Sequence, residues 1–314
     1  MSMTEGRERE TLVGGSSSSP TGGWKSMAEG GNRTYADYLN LHELLSLQGD
    51  DSQTNDELHF VIIHQSFELW FKLIVSELRS VRDILDQTHV PESEVPKAVH
   101  HMGRITETFR LMANQWRVME TLAPQDFLAF RDGLGTASGF ESFQMRELEI
   151  LMGLPDSDRV KEMDPLAHFR KLAEGSDRDK EILARLEEAV ASTSLSEALS
   201  RWLSRTPIQG SMAGDEDDEA VVAEFVEEYL AGQAKLADEA MARLQEQGVQ
   251  DMEAVQGRFD IAAQGARDYL TQDGVVNRSR AGLLFIESYR ELPLLAWPRT
   301  LIDAIQLQKR HKWM

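Results

Sequence analysis

Residues 56–71, Asp56-Glu57-Leu58-His59-Phe60-Val61-Ile62-Ile63-His64-Gln65-Ser66-Phe67-Glu68-Leu69-Trp70-Phe71, repeat their apolar side chains every three to four positions. That is the period of an α-helix, and it fixes the class of element around which the rest of the chain is read. At 3.6 residues per turn, Phe60, His64, Phe67 and Phe71 fall near one face. An imidazole in such a stripe costs about 1–3 kcal/mol if it is left without a partner. His64 is therefore either a core histidine bonded to a nearby group or the one titratable group in the wall of a ligand pocket. The stretch alone leaves both readings open.

The same period continues outward. Tyr35 to Gln48 predicts a short amphipathic helix, and the helix of residues 56–71 is expected to run to about Gln87. His100 to Leu122 predicts another, carrying Met102, Ile105, Phe109, Met112, Trp116 and Met119. Pro124 sits where a first helical turn tolerates proline, so a new helix opens there. Gly133 to Gly139 is a glycine-rich turn, and the helix of Phe140 to Leu151 ends at Gly153 and Pro155. Residues 155 to about 194 are charged and weakly patterned. Leu195 to Leu203 predicts a short helix stopped by Thr206-Pro207. The run Gly214-Asp215-Glu216-Asp217-Asp218-Glu219 reads as a solvated acidic loop whose charge suits the dipole of a helix from Ala220 to about Glu246. Met252 to Leu270, Arg278 to Tyr289 and Pro298 to Met314 close the chain with helices. No strand with clear alternation and no βαβ rhythm is found. The expected fold is all-α, a bundle of mostly long helices. Residues 1–31 are expected to be a disordered lead-in, and 32–314 a single domain with a charged insertion at about 155–220.

Composition narrows the chemistry. Of 314 residues, 33 are Lys or Arg and 53 are Asp or Glu, a formal charge of -20. No basic patch is available to neutralise phosphates, which argues against nucleic acid and anionic membrane as partners. The absence of cysteine excludes disulfides, thiolate zinc sites, cysteine nucleophiles and thiolate-ligated haem. No GxGxxG, Walker loop, HExxH or GxSxG is present. The first 31 residues lack the apolar core of a signal peptide, and no run of about 18 apolar residues predicts a membrane span. The expected location is the cytoplasm.

Two further groups carry possible chemistry. Phe127 and Arg131 are four apart, on one helical face just before the glycine turn, where an arginine beside aromatic residues suits bidentate capture of a carboxylate. The plainer alternative is a surface arginine paired with Asp132 or Glu141. Tyr35 and Tyr38 share a face of the first helix and could be ligand contacts or an ordinary core edge.

Together these pieces resemble the tryptophan 2,3-dioxygenase family. The resemblance rests on Thr34-Tyr35-Ala36-Asp37-Tyr38-Leu39-Asn40-Leu41, Phe60-Val61-Ile62-Ile63-His64-Gln65, Glu68-Leu69-Trp70-Phe71-Lys72 and Ala137-Ser138-Gly139-Phe140-Glu141-Ser142-Phe143-Gln144-Met145-Arg146, in matching order and spacing. Trp202-Leu203-Ser204-Arg205-Thr206-Pro207 and Tyr289-Arg290-Glu291-Leu292-Pro293 fit as well.

The resemblance implies an all-α, cytosolic homotetramer that binds haem b. The implied reaction inserts both atoms of dioxygen across the indole C2–C3 bond of L-tryptophan, giving N-formylkynurenine. By position, His64 matches the distal histidine that meets the indole N–H, and Phe60 matches an aromatic residue of the same pocket. Val61, Ile62 and Ile63 belong to the same segment. Arg131 matches the arginine that pairs with the substrate carboxylate, while Phe127, Leu134 and Ser138 complete the wall. Tyr35 and Tyr38 match tyrosines lent to a neighbouring subunit.

The family's iron ligand is a histidine on the last long helix, in a pattern like Trp-Arg-x-x-His followed by Gly-Thr-Gly-Gly. Neither pattern occurs in this sequence, so no metal ligand is assigned. His311 is a late candidate in a basic helix end, and His100 and His101 are possible only in principle. The first expectation is a tryptophan 2,3-dioxygenase whose sequence stops short of that segment. A related haem monooxygenase of a modified tryptophan or other aromatic amino acid is the second. A catalytically inactive paralogue that binds an aromatic amino acid is the third.

Overall fold

The computed structural model describes residues 34–49, 54–135, 141–154, 164 and 166–310, the last four by their backbone only. Ser138, His311 and residues 1–31 lie outside the described residues. The chain divides into two compact units, Met1–Leu58 and His59–Met314.

In the first unit, α1 (Tyr35–Leu39) starts from a capping box. The Thr34 hydroxyl accepts the Asp37 N–H at 3.2 Å, and the Asp37 carboxylate accepts the Thr34 N–H at 3.1 Å. The single helix expected over Tyr35 to Gln48 is broken. Asn40 takes a left-handed conformation (φ 49°) that ends α1 and starts α2 (Leu41–Leu44). Asparagine tolerates that region better than most residues, which is why the break falls there.

The 31-residue helix α3 (Asn55–Leu85) runs from this unit into the second. Its face Ile63, Phe67, Ile74, Leu78, Val81 and Leu85 is buried in the main core. It is also long and apolar enough to cross a membrane by length and composition, a property shared by core helices. The core is completed by α4 (Val95–Met119), α6 (Phe143–Met152), α8 (Asp177–Ala191) and α9 (Leu195–Ser204), with Leu301 and Ile305 of α13 (Ala296–Arg310). Between α4 and α6 lies α5 (Pro124–Phe130), which opens with Pro124 in its first turn as expected. The charged middle of the sequence is anchored in the same core. Leu166, Phe169 of α7 (Ala167–Leu172) and Leu186 of α8 are buried there.

Charged groups bind this core together from within. Glu147 on α6 is fully buried and pairs with Arg79 of α3 at 2.6 Å and Arg185 of α8 at 2.8 Å. Glu77 on α3 accepts from both His101 and Arg104 of α4. Removing one member of such a set strands a buried charge, so these pairs fix helix register.

A second core forms where α10 (Asp218–Glu246), α11 (Met252–Leu270) and α12 (Arg278–Ser288) meet, around Val222, Phe225, Val226, Leu230 and Leu270. Two expectations are corrected here. The acidic run is not wholly solvated, because Asp218 is only 6% exposed. Its carboxylate accepts from Arg278 Nε at 2.8 Å and Nη2 at 3.1 Å, and from the Ser211 hydroxyl at 3.0 Å. A short antiparallel hairpin, β1 (Thr271–Gln272) with β2 (Val275–Val276), joins α11 to α12. Its turn is Asp273-Gly274, both at positive φ (53° and 80°), the Asp-Gly signal of a two-residue hairpin loop. Strands of two residues are too short for alternation to reveal them.

Candidate functional site

The site is built on the N-terminal part of α3. His64 and Phe60 lie one helical turn apart, with ring centroids separated by 4.0 Å. Nδ1 of His64 lies 2.8 Å from the Phe60 carbonyl oxygen. A carbonyl can only accept, so Nδ1 donates to it, and in a neutral imidazole Nε2 is then the acceptor. His64 is thus satisfied by a bond to the preceding turn of its own helix, and the other nitrogen remains available to an N–H donor.

Helix α5 supplies the facing rings. Phe127 lies 5.7 Å from Phe60, and Phe130 lies 5.6 Å from Phe60 and 5.4 Å from Phe127, the last pair edge to face at 85°. These separations are those of favourable aromatic pairs. Phe60, His64 and Phe127 are half-buried, so they present a partly open aromatic wall, while Phe130 is 8% exposed beneath it.

Arg131 follows Phe130 directly, at the start of a 3-10 turn (Arg131–Leu134) that ends α5. Its Nη1 donates to the Gly135 carbonyl at 3.0 Å. Gly135 turns the chain with φ 57°, a conformation that glycine adopts without strain. The pairing with Asp132 or Glu141 considered from sequence is not made among the described residues. Glu141 instead lies 3.4 Å from His168 Nε2. The guanidinium keeps donors beyond the one used on Gly135, and Leu134 is half-buried on the same turn.

The structure separates the other residues of the segment. Ile63 is in the main core, Val61 is half-buried, and Ile62 is 45% exposed on the far side of α3. The stripe Phe60, His64, Phe67 and Phe71 also divides: Phe67 is buried and packs on Trp116 at 5.1 Å, away from the Phe127 rings. Tyr35 (76% exposed) and Tyr38 (57%) stand free on α1 in the first unit. Phe130 was not among the sequence candidates. The Phe127-x-x-Phe130-Arg131 spacing could have pointed to it, since residues three apart share a helical face.

A profile of the tryptophan 2,3-dioxygenase family matches residues 19–307. The chain belongs to the tryptophan 2,3-dioxygenase family. A tryptophan 2,3-dioxygenase of Sorangium cellulosum is 37% identical over 289 residues, covering 86% of this chain and 69% of the relative. Tryptophan 2,3-dioxygenase 2 of Ralstonia nicotianae is 37% identical over 294 residues, covering 87% of this chain and 77% of the relative. The tryptophan 2,3-dioxygenase of Aedes aegypti is 31% identical over 300 residues, covering 92% and 74%. The all-α architecture is that of the family, whose members are haem dioxygenases.

The residues present fit one side of a haem pocket. They offer a flat aromatic wall and one imidazole with a free nitrogen. Two other described histidines have partners of their own: His101 is bonded to Glu77, and His100 Nε2 lies 3.0 Å from Arg104 Nη2. His59 has a buried Nε2 without a partner among the described residues, but it precedes Phe60 by one residue and so points about 100° away around α3. No described group of three or more His, Cys, Asp or Glu side chains could hold a metal ion. Among the described residues the wall is therefore aromatic, with His64 Nε2 as its free imidazole nitrogen.

Proposed function

We propose that this chain catalyses the dioxygen-dependent cleavage of the indole C2–C3 bond of L-tryptophan to N-formylkynurenine. The observation that carries the proposal is the 2.8 Å contact between His64 Nδ1 and the Phe60 carbonyl oxygen. With Nδ1–H tied to the Phe60 carbonyl, Nε2 faces out as an acceptor beside the Phe60 and Phe127 rings, which suits the single N–H of an indole.

The remaining roles follow from the same wall. Phe60 and Phe127 pack on the faces of the indole and exclude water from it. Arg131 takes the substrate carboxylate with the donors that Gly135 leaves free, holding the amino-acid end while His64 holds the ring nitrogen. Two such anchors at opposite ends of one small molecule fix its orientation, and Leu134 adds to the enclosure. Haem b, when bound, supplies the activation of dioxygen, and the residues above decide which carbon atoms meet it.

We read the active form as a cytoplasmic homotetramer. The exposure of Tyr35 and Tyr38, and of Ile62 and Leu69 on the outer side of α3, supports a chain that buries these surfaces against copies of itself. Tyr35 and Tyr38 are then the residues one subunit lends to its neighbour's pocket.

Comparing L-tryptophan with 1-methyl-L-tryptophan tests the central contact, because the methyl group removes the indole N–H. The haem-loaded chain is expected to bind L-tryptophan at least tenfold more tightly, and His64→Ala to lose most of that preference. Equal affinity for the two ligands in the parent chain would refute the role given to His64.

A further inference from the structure

Beneath the wall lies a ring that no substrate need touch. Phe60, Phe127 and Phe130 form a closed triangle with centroid separations of 5.7, 5.6 and 5.4 Å. Two of its corners are half-open and the third, Phe130, is buried. The two open rings therefore rest on the buried one.

We propose that Phe130 is a specificity-determining residue, which sets the depth of the aromatic slot by supporting Phe60 and Phe127 from below. The inference rests on the functional reading of the wall given above. Protein interiors are close-packed, so a smaller side chain at 130 leaves a void under both rings. The rings can sink into that void, and the slot then accepts an indole carrying an extra methyl group that the intact triangle rejects. Phe130 also immediately precedes Arg131, at the point where α5 tightens into the 3-10 turn (φ -114°, ψ -3°). Its packing thus sets the height of the wall and the start of the carboxylate anchor together. Phe130 acts through Phe60 and Phe127, so it is a positioning residue and not a catalytic one.

The experiment is a calorimetric titration of the haem-loaded chain with L-tryptophan, 5-methyl-L-tryptophan and 6-methyl-L-tryptophan. It is run on the parent, Phe130→Leu and Phe130→Met, with Phe225→Leu, a buried phenylalanine of the second core, as a comparison. Thermal melts identify which variants fold, and Met offers a second route because it fills irregular space. The parent should prefer L-tryptophan over at least one methylated ligand by tenfold or more, the size of discrimination that one carbon atom supports in an apolar pocket. Phe130→Leu and Phe130→Met should shrink that ratio by about tenfold, while Phe225→Leu leaves it unchanged. A purely structural Phe130 would weaken all three ligands together. A folded variant with the parental ratio therefore overturns the proposal while leaving the functional reading intact. A parent that binds none of the ligands overturns the functional reading and this proposal with it.

Discussion

Gly282 of α12 should not tolerate even one added carbon. A Cβ placed on Gly282 would lie 2.2 Å from the Leu203 carbonyl oxygen and 3.1 Å from the Leu203 carbonyl carbon. The ordinary carbon-to-oxygen approach is about 3.3 Å. Helices α9 and α12 would therefore have to separate by roughly 1 Å, a shift of the kind that overpacking imposes. The obstacle is backbone and cannot swing aside as a side-chain tip can. Against backbone that cannot yield, overpacking falls in the upper part of its usual range, about 2–3 kcal/mol. Alanine recovers up to about 1 kcal/mol through its better helix propensity. The balance for Gly282→Ala is a net loss of about 1–2 kcal/mol. Gly265 on α11 is the internal control. Its built Cβ meets nothing within 4 Å, so Gly265→Ala should stabilise by about 0.5–1 kcal/mol. Urea unfolding followed by circular dichroism reads both variants against the parent. Gly282→Ala unfolding at the same urea concentration as the parent, or a higher one, would refute the close packing of α9 on α12.

Three further perturbations act on the carboxylate anchor, the buried Asp218–Arg278 pair and the cap of α9. Arg131→Leu should weaken L-tryptophan binding by about 2–3 kcal/mol, the value of a charge-assisted pair, and unchanged affinity in calorimetry would mean that the carboxylate is held elsewhere. Asp218→Asn leaves the partly buried Arg278 without its anion, so urea unfolding should report a loss of about 3–5 kcal/mol, whereas a loss under about 1 kcal/mol would place the pair in solvent. Glu197 caps the N-terminus of α9, and its bonds to the Ser194 backbone and hydroxyl hold its carboxyl below the usual glutamate range. A carboxyl with a depressed folded-state pKa stabilises above its unfolded-state value and loses that contribution as pH falls through the folded-state value. The parent should therefore be more stable than Glu197→Gln at neutral pH, with the gap closing in acid, and a gap independent of pH would contradict the cap.

The long helices were legible because their apolar stripes are long. The expectation for Met252 to Leu270 coincides with the observed helix, and that for residues 56–87 differs by two residues or fewer at either end. What escaped the sequence depended on tertiary partners or on single residues. Asp218 reads as part of an acidic loop until Arg278, 60 positions away, folds back onto it. The break at Asn40 turns on one left-handed residue, which periodicity averages over. At the site, Phe60, His64 and Phe127 could be placed from their motifs, and the structure brings their rings together. Ile62 belongs to the same motif by sequence, but two residues along a helix rotate it about 200° away from Phe60. The three-residue spacing puts Phe130 on the face of Phe127, but only its burial under Phe60 and Phe127 marks it as a supporting ring.

The most direct measurement is the turnover of L-tryptophan by the haem-loaded chain under isotopically labelled dioxygen, read by mass spectrometry of the product. N-formylkynurenine carrying two labelled oxygen atoms is expected, with turnover sharply reduced in Arg131→Leu. A product carrying a single labelled oxygen, or turnover unaffected by the loss of Arg131, would contradict the proposed function.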